Sequence, residues 1–569
     1  MSENGSFVPY DKDLPEVPGR QGTAHLLPTS YLRKTAEGGF EVVPGRRPSK
    51  LLLVNRLRKA VDAWRDGGYS GGSEVTRRLF RYWFDDEHSL PGGVTFRYYF
   101  GQREAIETLA YLVEVAEVGD AKRLVEEFGE VFYPEGSQRR FREEDIFHET
   151  NAATGRRRIR RYVPEHGVES EIVQDLPIEN LWRLAFKAAT GSGKTVTMAL
   201  VVVWSYFHKR MVLGSPLSAN FLVVAPNVIV YQRLEQDFAD GTVFHKLPLI
   251  PPEWRGEWAL RVILRKEETE PAGASGSLFL TNVQQIHRRD REEMSPENAV
   301  QALLGPAVPA AARSGGRTMV ERLEDLPDLV VLNDEAHHVH DEELRWNQVL
   351  ARLHERLPGG LSLWLDLSAT PKDQNGTYFP WVVSDFPLAQ AVEDRIVKAP
   401  LIVHRVERED PRHNVTAANA VETYADWVRA AVARFREHER IYEPMGQKPV
   451  LFVMAEKSVH ADAIGGWLAG EEELGFSEDE VLVIHTNTRG EVNDADLTKA
   501  RKAVREIDAP DNPIKAVISV LMLREGWDVR NVTVVLGLRP FSSNANILPE
   551  QAVGRGLRLM GGLGPDRTQ

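Results

Sequence analysis

Ala188-Ala189-Thr190-Gly191-Ser192-Gly193-Lys194-Thr195 holds the strongest chemical signal in the chain. Thr190, Gly191, Ser192 and Gly193 are small enough for successive backbone N–H groups to curl around an anion, and a helix opening behind them aims its positive end at the same point. Lys194 then stands where an ammonium meets the β- and γ-phosphates of ATP, and Thr195 where a hydroxyl meets Mg²⁺. Ala188 departs from the glycine that usually opens such a loop. Asp334 and Glu335 are a second candidate group, two adjacent carboxylates at the end of an apolar run. Asp334 suits Mg²⁺, through water, and Glu335 suits the general base that polarises an attacking water. Arg555 and Arg558 lie three apart, so on a helix both guanidiniums point at one target and would neutralise charge on a γ-phosphate.

Such groups work only if strands and helices deliver them. Leu181–Phe186 reads as a strand running into the glycine loop, and Val196–Phe207 as the helix leaving it. Apolar strand signals recur at Asn220–Pro226, Gly276–Asn282, Leu329–Asp334 and Leu363–Ser368, with helical runs at Val228–Phe238 and from Val283. Strands each followed by a helix indicate an α/β fold with a parallel sheet, whose ligands sit beyond the strand C-termini. Ser368-Ala369-Thr370-Pro371 ends one such strand in hydroxyls suited to hydrogen-bonding the acidic pair. A second series follows at Lys448–Met454, Val481–His485, Ile514–Val520 and Val532–Leu538.

Other stretches divide the chain. Residues 1–95 are expected to form a mainly helical N-terminal region, with helices near 51–65 and 74–84. The first α/β unit spans 96–375, with an insertion over about 119–178 and another from about Gly305 to Gly316. Residues 376–400 are the expected linker, and 401–569 the second unit, expected to be cut short at its C-terminal end. Tyr99 and Phe100 beside Gln102 lead into a helix; an aromatic next to an amide suits either a base with its adenine edge or plain core packing. The insertion carries Arg156, Arg157, Arg158, Arg160 and Arg161, which read either as a solvated surface or as contacts to nucleic-acid phosphates.

Composition sets outer limits. A chain of 569 residues is too long for one core, and 42% hydrophobic with 27% charged residues is ordinary globular usage. Net charge of −13 argues against a uniformly basic coat while leaving local basic grooves open. No cysteine is present, which excludes disulfides and thiolate chemistry. No signal peptide is visible, and the longest apolar stretch, Met198–Trp204, falls short of a bilayer span, so a cytoplasmic protein without membrane contact is expected.

In their order, these motifs resemble those of superfamily 2 helicases and translocases of the DEAH-box type. The nearest likeness is to the restriction (Res) subunit of type III restriction-modification systems and related defence helicases. The likeness rests on Ala188–Thr195, Asp334–His337, Ser368–Pro371, Arg524–Asp528 and Gln551–Arg558. It implies tandem RecA-like domains with ATP and Mg²⁺ between them. It also implies that Gln102 reads adenine and that His337, Ser368 and Thr370 couple the site to movement. Gly526 and Asp528 match the motif linking nucleotide to the tracked strand. Gln551, Arg555 and Arg558 match the last helicase motif, with Arg555 as the arginine finger. The implied function is an ATP-dependent motor on DNA in restriction or phage defence; an RNA helicase, or a nucleotide-gated scaffold with little turnover, is the alternative. Relatives in that branch often carry a nuclease domain after the motor. Little chain follows Arg558, so nuclease activity is expected of a further C-terminal part or of nuclease or methyltransferase partner subunits.

Overall fold

The computed structural model describes residues 23–35, 40–128, 150–151, 155–162, 171–178, 180–226, 228–264, 275–282, 319–334, 341–372, 376–401, 415–484, 507–520, 529–538, 554 and 556–560. It opens on an antiparallel hairpin of β1 (Ser30–Lys34) and β2 (Phe40–Pro44). Helices α1 (Leu52–Asp66) and α2 (Glu74–Phe80) follow, α2 continuing into a π turn over Arg81–Asp85. A second hairpin pairs β3 (His88–Leu90) with β4 (Val94–Phe96), and α3 (Phe100–Glu114) comes next. The two helices lie where periodicity places them. The hairpins go beyond the helical reading, because β2 and β4 are mostly exposed and show no apolar alternation.

The insertion contains a further antiparallel hairpin, β5 (Arg158–Tyr162) with β6 (Glu171–Asp175). The first large sheet is then built from β7 (Arg183–Ala188), β8 (Asn220–Ala225), β9 (Arg261–Ile263), β10 (Ser277–Asn282), β11 (Leu329–Asp334), β12 (Leu361–Ser368) and β13 (Val382–Phe386). Its order is β13-β7-β12-β11-β8-β10-β9, and every pairing is parallel. Helices α4 (Lys194–Met211), α5 (Val228–Phe238) and α6 (Asp341–Arg356) connect its strands. β13 lies inside the stretch expected to be a linker: Val382 and Val383 bury themselves beside β7, and α7 (Leu388–Glu393) follows Pro387.

α4 explains the long apolar run. A helix apolar on all sides must be covered on all sides, and Met198 through Trp204 have no exposed surface. Strand residues such as Phe186, Val223 and Leu332 share its core cluster on one flank, and α2 and α3 pack on another. The indole N–H of Trp204 donates to Thr76 Oγ1 at 2.8 Å. The N-terminal helices are therefore part of the first unit's core. Ion pairs hold them there: Glu104 meets Arg46 and Arg58, Glu107 meets Arg65 and Arg103, and Arg47 meets Glu393. Burial alone would raise the Glu104 carboxyl, but Arg58 and Arg46 outweigh it and hold the group below its ordinary value.

The second sheet has α8 (Ala420–Tyr442) ahead of it. Its strands are β14 (Val450–Ala455), β15 (Val481–Ile484), β16 (Ala516–Val520) and β17 (Val532–Leu538), with α9 (Ser458–Gly470) between the first two. The order is β15-β16-β14-β17, again all parallel. The chain is α/β throughout its two sheets, as the strand–helix alternation predicts. Among the described residues, no helix is long and apolar enough to cross a membrane.

Candidate nucleotide site

β7 releases the chain at Ala188, and the glycine loop turns sharply into α4. Gly191 and Gly193 stand at φ +82° and +83°, left-handed backbone that side chains rarely adopt. The Ser192 hydroxyl donates to the Ala189 carbonyl at 2.7 Å, tightening the turn. Lys194 is the first residue of α4 and is buried; Thr195 follows it. The loop therefore has the strand–turn–helix setting that anion capture requires.

Gln102 reaches this loop from α3. Its amide nitrogen donates to the Ser192 carbonyl at 3.1 Å, while its oxygen accepts the Tyr99 backbone N–H at 3.0 Å. The packing is close: a Cβ on Gly193 would lie 2.5 Å from Gln102 Nε2. Ninety residues of sequence separation end in direct contact.

Sheet order assembles the remaining groups. β12 lies between β7 and β11, with Ser368 level with Lys187 and Asp334 level with Leu367. Strands about 4.8 Å apart place the β7 and β11 exits roughly 10 Å from one another. Asp334 is fully buried, and Arg233 of α5 approaches its Oδ2 at 2.6 Å. One helical turn further, the Asp237 carboxyl faces the Thr195 side chain. Burial pushes the Asp237 carboxyl up, with Arg233 and Thr195 opposing that shift. A hydroxyl and a buried carboxylate are hard oxygen donors of the kind Mg²⁺ takes, and the guanidinium on Asp334 shows that this carboxylate draws a positive charge. Thr195 and Asp334 thus fit the ion. Ser368 Oγ accepts the Thr370 backbone N–H at 3.0 Å, and both residues are buried.

The end of the chain returns to the loop. Arg558 bridges Val397, and the Lys398 N–H donates to the Leu557 carbonyl at 2.6 Å. A Cβ on Gly554 would lie 2.9 Å from Thr190 Oγ1; one on Gly191 would lie 3.9 Å from Arg558 Cγ. Leu557 packs with Ala189, Phe386, Ala391, Ile396 and Val397. Residues beyond the second sheet thus touch the loop that leads out of the first. The Lys398 ammonium, buried at this junction, donates to the carbonyls of Arg530 and Val532, each at 2.7 Å, and burial lowers its pKa to about 7.

Glu335, His337, Gly526, Asp528, Gln551 and Arg555 lie outside the described residues. The arginine run is divided by its hairpin. Successive strand residues face opposite ways, Ile159 is buried, and Arg158 pairs with Asp175 at 3.1 Å. Arg157 bridges Thr150 just before β5, and Arg156 precedes it. Arg160 and Arg161 stand opposite Val173 and Ile172. Arg233, Asp237 and Lys398 carry no motif and escape a reading of the sequence; the one available signal was a charge pair four apart on the helix after β8.

Residues 147–373 match the family model described as type III restriction enzyme, res subunit. No curated protein matches significantly. Among solved structures, a Mycobacterium smegmatis helicase Lhr bound to ssDNA and AMP-PNP is similar at 16% identity and TM-score 0.37, covering 65% of this chain and 42% of that one. Saccharomyces cerevisiae Dbp5 bound to RNA and ADP BeF3 is 14% identical with TM-score 0.33, covering 66% and 75%. T4 UvsW is 11% identical with TM-score 0.24, covering 89% and 75%. The chain therefore spans less than half the length of the Lhr chain it matches.

Proposed function

We propose that this chain, whose residues 147–373 match the family model described as type III restriction enzyme, res subunit, is a helicase-like motor that hydrolyses ATP to move along DNA in a restriction or phage-defence system. The observation that carries the reading is the approach of Gly554 and Arg558 to Thr190 and Gly191. Two α/β units meeting at a phosphate-type loop form a cleft whose closure a nucleotide can drive.

In this mechanism the glycine loop wraps the phosphates and Lys194 contacts the β- and γ-oxygens. Thr195 and Asp334 would hold Mg²⁺, whose charge offsets that of the phosphate oxygens. Glu335 accepts a proton from the attacking water. The water oxygen bonds to the γ-phosphorus as the bond to the β–γ bridging oxygen breaks, leaving ADP and phosphate. Arg555 and Arg558, together with Gln551, stabilise charge on the transferring group from the second unit. His337, Ser368, Thr370, Gly526 and Asp528 pass the state of the cleft to the bound strand. Contacts to that strand are mainly to phosphates, so binding tolerates sequence and weakens with salt. Arg156, Arg157, Arg158, Arg160 and Arg161 are the candidates for such contacts.

DNA is favoured over RNA by Leu523-Arg524-Glu525-Gly526-Trp527-Asp528 and Gly554-Arg555-Gly556-Leu557-Arg558, which look like the restriction branch. Nuclease or methyltransferase partner subunits belong to the same reading. The test is steady-state ATP hydrolysis with duplex DNA, single-stranded DNA or RNA added. Stimulation by DNA is expected; stimulation by RNA alone would overturn the substrate assignment.

A further inference from the structure

The two metal-ligand candidates, Thr195 and Asp334, come from different strand ends, yet one helix touches both. Arg233 and Asp237 lie four apart on α5 and so share a face. Arg233 meets Asp334 at 2.6 Å, and the Asp237 carboxyl faces the Thr195 side chain. We infer that α5 sets the metal affinity of the site: Arg233 holds the place of Mg²⁺ on Asp334, and Asp237 positions the Thr195 hydroxyl to receive the ion. This rests on the ATP-motor reading above.

The two side chains act in opposite senses. A guanidinium has donors and no lone pair to give a metal. While it sits on the buried Asp334 carboxylate, a divalent cation arriving at the same oxygens meets like charge at close range. Arg233 must therefore swing away before Asp334 serves the metal. Asp237 works the other way. A hydroxyl has one hydrogen and two lone pairs; when the hydrogen is given to Asp237, the lone pairs are left for the ion. Among the described residues, the side-chain hydrogen bonds that shape the phosphate loop come from Ser192 and Gln102, so nucleotide capture without metal should not depend on Arg233 or Asp237.

A second consequence concerns α5 itself. Val230, Leu234 and Phe238 are fully buried, so the helix body is fixed and the Arg233 side chain is the moving part. If α5 served packing alone, loss of either polar residue would disturb the site in the same direction. Opposite directions are the signature of a placeholder beside a positioning residue.

The experiment titrates Mg²⁺ into the full chain with a fluorescent, non-hydrolysable nucleotide (methylanthraniloyl-AMP-PNP), read by fluorescence. Wild type, Arg233→Ala, Arg233→Gln and Asp237→Ala are compared, with circular dichroism melts to show that each is folded; the glutamine variant serves if the alanine one is not. The half-saturating Mg²⁺ concentration is expected to fall by about fivefold or more in the Arg233 variants and to rise by a similar factor in Asp237→Ala. Binding in EDTA should stay at the wild-type level. Unchanged Mg²⁺ dependence, or shifts of one sign in all variants, would overturn the inference alone. A wild type that binds no nucleotide with or without Mg²⁺ would overturn the motor reading, and this inference with it.

Discussion

Lys194 is buried at the first position of α4, directly after two left-handed glycines, and no other cation opens that helix. Replacing it with alanine should lower ATP turnover by about a hundredfold or more, the loss typical of removing one group aimed at developing charge; a steady-state phosphate-release assay reads this. Glu335→Gln should retain nucleotide and hold the cleft closed, and normal turnover in that variant would rule out Glu335 as the base. The loop was legible in the sequence because its chemistry is backbone chemistry, and small residues followed by Lys-Thr leave few other uses. Asp334 was legible because it ends an apolar run. Arg233 and Asp237 were not, since opposite charges four apart on a helix look the same whether they face water or a buried carboxylate such as Asp334.

At the scale of elements, the strands that carry the site are tied together beneath it. Arg183 of β7 pairs with Asp366 of β12 at 2.7 Å, and Asn333 of β11 donates to the same carboxylate. Both charged groups are buried, and the Arg183 guanidinium stacks over Trp364 at 3.9 Å. Removing one partner of such a pair leaves a buried charge unmatched. Arg183→Ala is therefore expected to cost about 3–5 kcal/mol of stability, measured by denaturant unfolding, while an exposed pair such as Arg33–Glu41 should cost little when broken. Most of the sheet strands were legible as apolar runs ended by turn residues. β13 was hidden by the prolines around it, which read as a connection, and the hairpins β1–β2 and β3–β4 by strands too short and too exposed to show a period. The N-terminal helices could be found from their periodicity, but not their task of covering α4, because coverage is a tertiary fact.

For the whole molecule, the join between the units matters most. Lys398 sits there, with its ammonium buried against two carbonyls and a pKa lowered to about 7 from 10.5. Between those values the unfolded chain binds a proton that the folded chain does not, so stability rises with pH across that window. A neutral amine still has two N–H donors for its two carbonyls. Thermal melting should thus show a midpoint climbing from pH 7 towards pH 10, and Lys398→Met should remove that part of the slope. The same junction brings Arg558 beside the loop that precedes Lys194, the arrangement on which an arginine-assisted motor depends. The most direct measurement is single-turnover ATP hydrolysis by Arg555→Ala and Arg558→Ala in the presence of duplex DNA, with nucleotide affinity measured alongside. A fall of about a thousandfold in the hydrolysis rate for Arg555→Ala, a smaller fall for Arg558→Ala and near-normal affinity are expected; wild-type rates in both variants would contradict a cleft completed by the second unit.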